Sequence, residues 1–220
     1  MNLFTVFDPS SSMSFSLNWF SSMFVLLFLP SMYWLIPSRW NFFMIYFCQL
    51  LMNEFNMVLS IRKNLMNMLM FISMFMMIFL NNFLGLFSYI FTSSSHLTFS
   101  LTLSLTMWLS FMLFGWITNT NHMFAHLIPS GTPMGLMSFM VLIETMSNFM
   151  RFGSLAVRLS ANLIAGHLLM ILLSSLSSGG TLISFFVVFS QIFLIMFEMG
   201  VSLIQAYVFT LLLILYSIEV

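Results

Sequence analysis

Long apolar stretches, separated by short polar segments, run through the whole chain of 220 residues. A membrane-crossing helix needs about 20 predominantly apolar residues. Stretches of about this length or longer occupy residues 15–36, 65–89, 97–117, 134–176 and 182–218, the first of them interrupted by Pro30. The pattern therefore predicts about five transmembrane helices.

The stretch 40–59 differs from the others because polar residues interrupt it, namely Gln49, Asn53, Glu54 and Asn56. Three of the five basic residues flank this stretch: Arg39, Arg62 and Lys63. We therefore expect an interfacial amphipathic helix rather than a span. Since positive charge favours the inner side of a membrane, this segment is expected there, with the N-terminus outside and the C-terminus inside.

The two final stretches are unusually long and contain no proline. If helical throughout, each would be roughly 55–65 Å long, about twice the thickness of the hydrocarbon layer. Such helices are expected to be strongly tilted or broken. Residues 177–180, Ser-Ser-Gly-Gly, are the expected turn of a helical hairpin, and residues 118–133 form a polar hinge before it.

The composition supports the membrane interpretation, since apolar residues make up 61% of the chain and charged residues 5%, against about 25% charge in soluble domains. We predict an all-α integral membrane protein with one domain over residues 1–220. Its parts are an N-terminal span with the interfacial helix (1–63), a helix hairpin (64–118) and a long tilted hairpin (134–220).

Several functions are excluded by what the chain lacks. The net charge is zero, so no basic patch for nucleic acid exists. The only lysine, Lys63, follows Arg62 and not the glycine of a phosphate-binding loop, so no nucleotide site of that type is expected. The only cysteine is Cys48. His122 and His126 have a metal-site spacing but no adjacent further ligand, which favours interfacial histidines. We expect no cofactor and no metal.

One polar stripe runs along the fifth membrane stretch. Glu144, Arg151 and Arg158 are spaced by seven residues, which places them within about 40° of one another on a helix, and Asn148 and Asn162 share this face. Charged groups inside a membrane are costly and mark functional sites by default.

A second stripe follows on the last stretch, where Gln191, Glu198 and Gln205 are again spaced by seven. The two stripes either line a water-accessible path or pair with each other in a dry interface. Regular antiparallel helices would put Arg158 level with a point between Glu198 and Gln205, so a salt bridge from Arg158 to Glu198 is an alternative to a functional arginine.

His167 lies nine residues after Arg158 and therefore on the opposite face of the helix. An imidazole titrates in the physiological range, so His167 together with Glu198 could relay protons. The alternative is a structural hydrogen bond.

Three segments resemble subunit a of the F-type ATP synthase in its mitochondrial form. They are residues 81–98, NNFLGLFSYIFTSSSHLT; residues 122–144, HMFAHLIPSGTPMGLMSFMVLIE, continuing into 155–169, LAVRLSANLIAGHLL; and residues 197–210, FEMGVSLIQAYVFT. Their order and spacing also fit, and the layout of six stretches covers nearly the whole chain.

The resemblance implies a stator-side proton channel that couples proton flow to rotation and has no catalytic site of its own. The essential arginine of the family falls on Arg158, and Gln205 matches the glutamine facing it. His167 and Glu198 match the pair lining the outer half-channel. Glu144 and Asn162 match polar residues near the inner path and the rotor interface.

The same resemblance implies partners and a location. The partners would be a rotor ring of c subunits, the peripheral-stalk subunit b, other small membrane subunits and the lipid bilayer. The location would be the mitochondrial inner membrane, with the N-terminus in the intermembrane space and the C-terminus in the matrix. Other classes are a respiratory-complex subunit, disfavoured by the single lysine, a secondary transporter, disfavoured by the lack of repeats, and a structural scaffold.

Overall fold

The structure is a computed structural model that describes residues 7–10, 15–31, 33–59, 65–87, 90–128, 133–176 and 181–219. These residues form helices and turns and contain no strand. The helices of this part of the chain are α1 Ser21–Phe28, α2 Arg39–Val58, α3 Leu65–Gly85, α4 Leu97–Thr118, α5 Thr120–His126, α6 Met137–Leu176 and α7 Thr181–Glu219. The predicted all-α membrane fold is confirmed.

Four helical segments of the described residues are long and apolar enough to cross a membrane. They are Asn67–Gly85, Leu97–Thr118, Met134–Leu176 and Ile183–Ile218, which agree with four of the predicted spans. Helix α2 is not one of them, in keeping with its interpretation as an interfacial helix. Ser38 caps the start of α2, because its hydroxyl accepts a hydrogen bond from the backbone N–H of Asn41 at 3.3 Å.

The first apolar helix is shorter than its sequence pattern predicts, covering Leu17–Phe28 and not residues 15–36. The cause is Pro30, because the residue before a proline is disfavoured in the helical conformation. Leu29 accordingly has φ −75° and ψ 117°, which are extended values, and α1 ends at Phe28. Pro30 therefore ends this helix rather than bending it.

Helices α6 and α7 are continuous over 40 and 39 residues. Their lengths are close to 60 Å at the rise of an α-helix, about twice the hydrocarbon layer. The sequence led us to expect helices that are either strongly tilted or broken. Because both helices are continuous, they must tilt or extend beyond the bilayer. The predicted turn at residues 177–180 lies outside the described residues.

The apolar core lies where α3 packs against α7 and where α6 packs beside them. Phe71 and Phe75 of α3 and Ile214 of α7 are almost fully buried there. Helix α4 packs mainly against α6, and its Ser100 and Ser104 are buried. Such small residues allow membrane helices to approach closely.

A polar connection joins the end of α3 to the start of α4 and packs against α6. Within it, the Thr92 hydroxyl donates to Ser95 Oγ at 2.9 Å, and the Ser93 hydroxyl donates to Asn81 Oδ1 at 3.4 Å. The Ser21 hydroxyl of α1 donates to the Phe91 carbonyl at 3.0 Å. These bonds bring the N-terminal part of the chain to the same end of the bundle as the second half of α6.

Candidate functional site

Arg158 lies exposed on α6, beside the buried side chains of Leu155 and Leu159. Within the described part of the chain its guanidinium makes no ion pair. Gln205 of α7 is only 7% exposed, and its Nε2 donates to the backbone carbonyl of Arg158 at 3.4 Å. The hairpin thus brings Gln205 next to Arg158 and leaves the charge of Arg158 available.

The expected alternative, a salt bridge between Arg158 and Glu198, is not formed among the described residues. The ion pair that does form on this stripe joins Arg151 Nη2 to Glu144 Oε1 at 3.7 Å. Both side chains of this pair remain partly exposed to solvent, Arg151 at 41% and Glu144 at 35%. Among the residues that the structure describes, Arg151 therefore has a carboxylate partner and Arg158 has none.

A cavity of about 260 Å³ separates parts of α6 and α7; we call it the α6–α7 cavity. Its polar lining comes from Asn162 of α6 and from Glu198, Ser202 and Gln205 of α7. It brings together three of the predicted site residues, and its volume has room for several water molecules. The cavity is thus a largely apolar recess of the hairpin whose lining includes four polar side chains.

Glu198 is the unusual group in this recess. Both of its carboxylate oxygens are buried and have no hydrogen-bond partner in the described structure. An unpaired carboxyl in such a position is costly unless it is neutral or meets water. A buried group of this kind is suited to taking up and releasing a proton.

Gly166 makes room for the Glu198 carboxyl. A Cβ atom added at Gly166 would overlap Oε1 of Glu198 and come within 3.2 Å of Oε2. At Gly153 of the same helix, no heavy atom of the described residues lies within 4 Å of the corresponding position, apart from the neighbouring residues and the backbone of the same helical turns. The absence of a side chain at residue 166 therefore allows the carboxyl of Glu198 to lie against α6.

A second cavity, of about 270 Å³, lies at the other end of α6; we call it the α4–α6 cavity. Its lining includes Glu144, Asn148 and Arg151 of α6, Trp108 of α4 and Tyr216 of α7. The first three belong to the predicted stripe. The structure therefore places Glu144 in a different cavity from Asn162, Glu198 and Gln205.

Arg158 lies between the two cavities along α6. It follows Arg151 by seven residues and precedes Asn162 by four, which corresponds to about 10 Å and 6 Å along the helix axis. Neither cavity has Arg158 in its lining; Arg158 instead borders a small gap shared with Gln205. A fixed positive charge thus lies between two recesses that each contain polar side chains.

His167 faces α3 and not Glu198. Its Nε2 lies 2.7 Å from the backbone carbonyl oxygen of Gly85, and the side chain is 4% exposed. One residue turns a helix by about 100°, so when Gly166 faces α7 the next residue points elsewhere. The structure therefore does not join His167 and Glu198 by a direct hydrogen bond.

The histidine pair of the polar hinge is only partly described. His122 belongs to α5, and the side chain of His126 lies outside the described set. A search of the described residues for three or more His, Cys, Asp or Glu side chains that could together hold a metal ion found no such group.

Some lining residues have no distinct signal in the sequence pattern. Ser202, Trp108 and Tyr216 fall among the many small and aromatic residues of the helices, and their spacing does not mark them. Gly166 has a weak signal, because a lone glycine inside a helix costs stability and often has a packing reason. Its actual neighbour, Glu198, becomes evident only in three dimensions.

Comparison with known proteins gives a full-length match. The family model described as ATP synthase A chain matches residues 13–217. The chain is similar to ATP synthase subunit a of Locusta migratoria, with 54% identity over 221 residues covering 100% of this chain and 98% of the relative. The proteins of the same name from Drosophila yakuba and Aedes aegypti are each 53% identical, with the same coverage of both chains.

Proposed function

The chain belongs to the family of ATP synthase A chains, and on that premise we propose that it is the stator-side proton channel of the membrane sector. In this role it leads protons to and from a carboxylate on each subunit of a rotor ring, and so couples proton flow to rotation and ATP synthesis. The observation that carries the proposal is Arg158, which is exposed, has no ion-pair partner among the described residues, and lies between two cavities that are lined in part by polar side chains.

The α6–α7 cavity is the proposed entry half-channel, with Glu198 as its proton-binding group. Asn162 and Gln205 extend its polar lining toward Arg158. His167 is the proposed further group of this path on the side of α3. Protons would pass from the outer aqueous phase through this cavity to the rotor carboxylate.

The α4–α6 cavity is the proposed exit half-channel, with Glu144 as its acidic group. Its ion pair with Arg151 is partly exposed, and such pairs are weak and open readily. Glu144 can therefore receive a proton and pass it to water at the inner side.

Arg158 would control the exchange between the two paths. A guanidinium stays charged at all physiological pH values, and a positive charge beside the rotor carboxylate favours its ionised form. It therefore promotes proton release and also repels protons that would cross directly between the half-channels. The membrane potential provides about 2.3 kcal/mol per charge per 100 mV, and this drives rotation only when the direct path is closed.

The remaining assignments rest on family membership. The chain is a subunit of the ATP synthase complex, and we propose that it has no catalytic or nucleotide site. The proposed partners are the ring of c subunits, the peripheral-stalk subunit b and other small membrane subunits. The proposed location of this multi-pass protein is the mitochondrial inner membrane, with the N-terminus in the intermembrane space and the C-terminus in the matrix.

Labelling from each side of the membrane tests the two half-channels. In a Cys48→Ser background, which removes the only native cysteine, we expect Ser202→Cys to react with an impermeant thiol reagent added at the outer side. Thr145→Cys, which lines the α4–α6 cavity, should react from the inner side. Phe193→Cys is the control, because its side chain is 74% exposed on the apolar outside of α7 and should face lipid. Labelling of both cavity positions from the same side would contradict the proposal.

Gly166→Ala tests the proposed role of Glu198 without touching the carboxyl itself. The added methyl group overlaps the Glu198 carboxyl, so the carboxyl must leave its position. We expect proton flux to fall by up to about 100-fold, the effect of misplacing a reacting group by about 1 Å. Gly153→Ala is the matched control on the same helix, since its Cβ meets no described atom within 4 Å beyond its own turns of the helix. Flux is measured in vesicles with an imposed potential. Equal flux in both variants would remove the Glu198 position from the path.

A further inference from the structure

We propose that Phe7 is a positioning residue for His167, and that the Phe7 ring covers this histidine. The inference rests on the proposed role of His167 in the entry path. It concerns a residue near the N-terminus that lies 160 positions away from the histidine in sequence.

The first observation is the contact between the two rings. The ring centroids of Phe7 and His167 lie 6.1 Å apart, and the ring planes are nearly perpendicular at 87°. This is an edge-to-face arrangement, which aromatic pairs favour at centroid distances of 4.5–7 Å. Because His167 is 4% exposed, Phe7 is part of what separates the imidazole from its surroundings.

The second observation is the hydrogen bond between the imidazole of His167 and the backbone of α3. A carbonyl oxygen can only accept, so the Nε2 of His167 must carry the hydrogen that it donates to Gly85 at 2.7 Å. In the neutral imidazole this leaves Nδ1 as the nitrogen that takes up a proton. The Gly85 carbonyl thus fixes one nitrogen, and the Phe7 ring restrains the rotation of the whole imidazole.

The third observation is the way in which the N-terminal segment is attached. Asn18 Nδ2 donates to the backbone carbonyl of Asp8 at 3.2 Å, which ties the residue after Phe7 to the start of the first helix. Trp19 lies with its ring centroid 5.2 Å from that of His96. The N-terminal part of the chain therefore provides an aromatic contact to each of two histidines at this end of the bundle.

Two measurements on the assembled complex test the inference. The first is the rate at which diethyl pyrocarbonate, which acylates imidazole nitrogen, modifies His167, followed by mass spectrometry with the exposed His122 as internal reference. In Phe7→Ala we expect this rate to rise about two- to tenfold, the factor equivalent to one edge-to-face contact. The second is proton flux under an imposed potential, which should fall by a similar factor because the imidazole is aligned for less of the time.

Matched variants separate a positioning role from a general packing role. Phe7→Tyr keeps the ring and should restore both the slow modification and the flux. Phe24→Ala removes an equally large ring from α1 that is 56% exposed, and it should change neither quantity. If Phe7→Ala does not assemble, Asn18→Ala releases the Asp8 carbonyl and should shift both quantities in the same direction.

Each result decides the proposal. Unchanged modification of His167 in Phe7→Ala, or the same increase in Phe24→Ala, would overturn the covering contact. Faster modification with normal flux would overturn the positioning role. Neither result concerns Arg158, so a failure here is distinct from a failure of the channel proposal, which would appear as normal proton-driven ATP synthesis in Arg158→Gln.

Discussion

Arg158→Gln is expected to abolish proton-driven ATP synthesis while the complex remains assembled. Arg158 is exposed and has no ion-pair partner among the described residues, so its removal leaves no buried carboxylate without compensation. The chain should therefore fold and assemble normally. What is lost is the fixed positive charge between the two cavities, and a fall in the synthesis rate of about 100-fold or more is the effect of removing one critical electrostatic group.

Two further substitutions define which property of Arg158 matters. Arg151→Gln makes the same chemical change seven residues earlier on α6, where the arginine is paired with Glu144 at 3.7 Å. Because a partly exposed pair contributes only about 0–1 kcal/mol, we expect a loss of less than about tenfold. Arg158→Lys keeps the charge but not the planar fork, and should give an intermediate rate. The measurement is ATP synthesis by the reconstituted complex, with the amount of assembled chain determined in parallel. Equal losses in Arg151→Gln and Arg158→Gln would contradict a special position for Arg158.

Glu198→Gln is expected to slow proton flux about tenfold or more without loss of assembly. The amide has nearly the shape of the carboxyl but cannot take up and release a proton in its place. A general acid–base group typically accelerates a proton-transfer step by about 100-fold or more. Water in the α6–α7 cavity can take over part of this proton transfer, so the expected loss is smaller. Because both carboxyl oxygens are buried and have no hydrogen-bond partner among the described residues, replacing the carboxyl by a neutral amide should not destabilise the hairpin.

Glu54→Gln is the matched control for this substitution. Glu54 lies exposed on α2 and does not line the α6–α7 cavity or the α4–α6 cavity, so the same change should leave flux unaltered. Flux is read as acidification inside vesicles under an imposed potential. Normal flux in Glu198→Gln would remove this residue from the entry path and leave the cavity as a packing defect.

The parts of the fold that follow from local pattern could be predicted from the sequence. Helices α6 and α7 form where long proline-free apolar stretches occur, and α2 forms where polar residues interrupt the apolar ones. The end of α1 at Phe28 is different, because it depends on whether Pro30 bends or ends the helix. Both outcomes are physically possible for a proline in a membrane helix, and the predicted continuation of the span through Pro30 to residue 36 was wrong.

The candidate site was predictable along each helix and less so between helices. The spacing of seven residues correctly placed Glu144 and Arg158 on one face of α6. The two residues are nevertheless 14 positions and about 20 Å apart along the helix. Glu144 therefore lines the α4–α6 cavity, whereas Arg158 borders the small gap beside Gln205. His167 and Glu198 were expected to act as a pair, but no direct hydrogen bond joins their side chains in the described structure. The imidazole of His167 is instead hydrogen-bonded to the backbone carbonyl of Gly85 in α3. Contacts between distant segments, such as Phe7 on His167, leave no periodic trace in the sequence.

The central claim, that Arg158 couples two separate proton paths to the rotor, is tested most directly by proton flux through the reconstituted rotor–stator membrane sector under an imposed potential. The unaltered chain and Arg158→Gln are compared at equal amounts of assembled sector. Our account predicts rotation-coupled flux in the first and its loss in the second. Equal rotation-coupled flux in both would contradict the account and make the polar stripe of α6 a packing feature of a membrane scaffold.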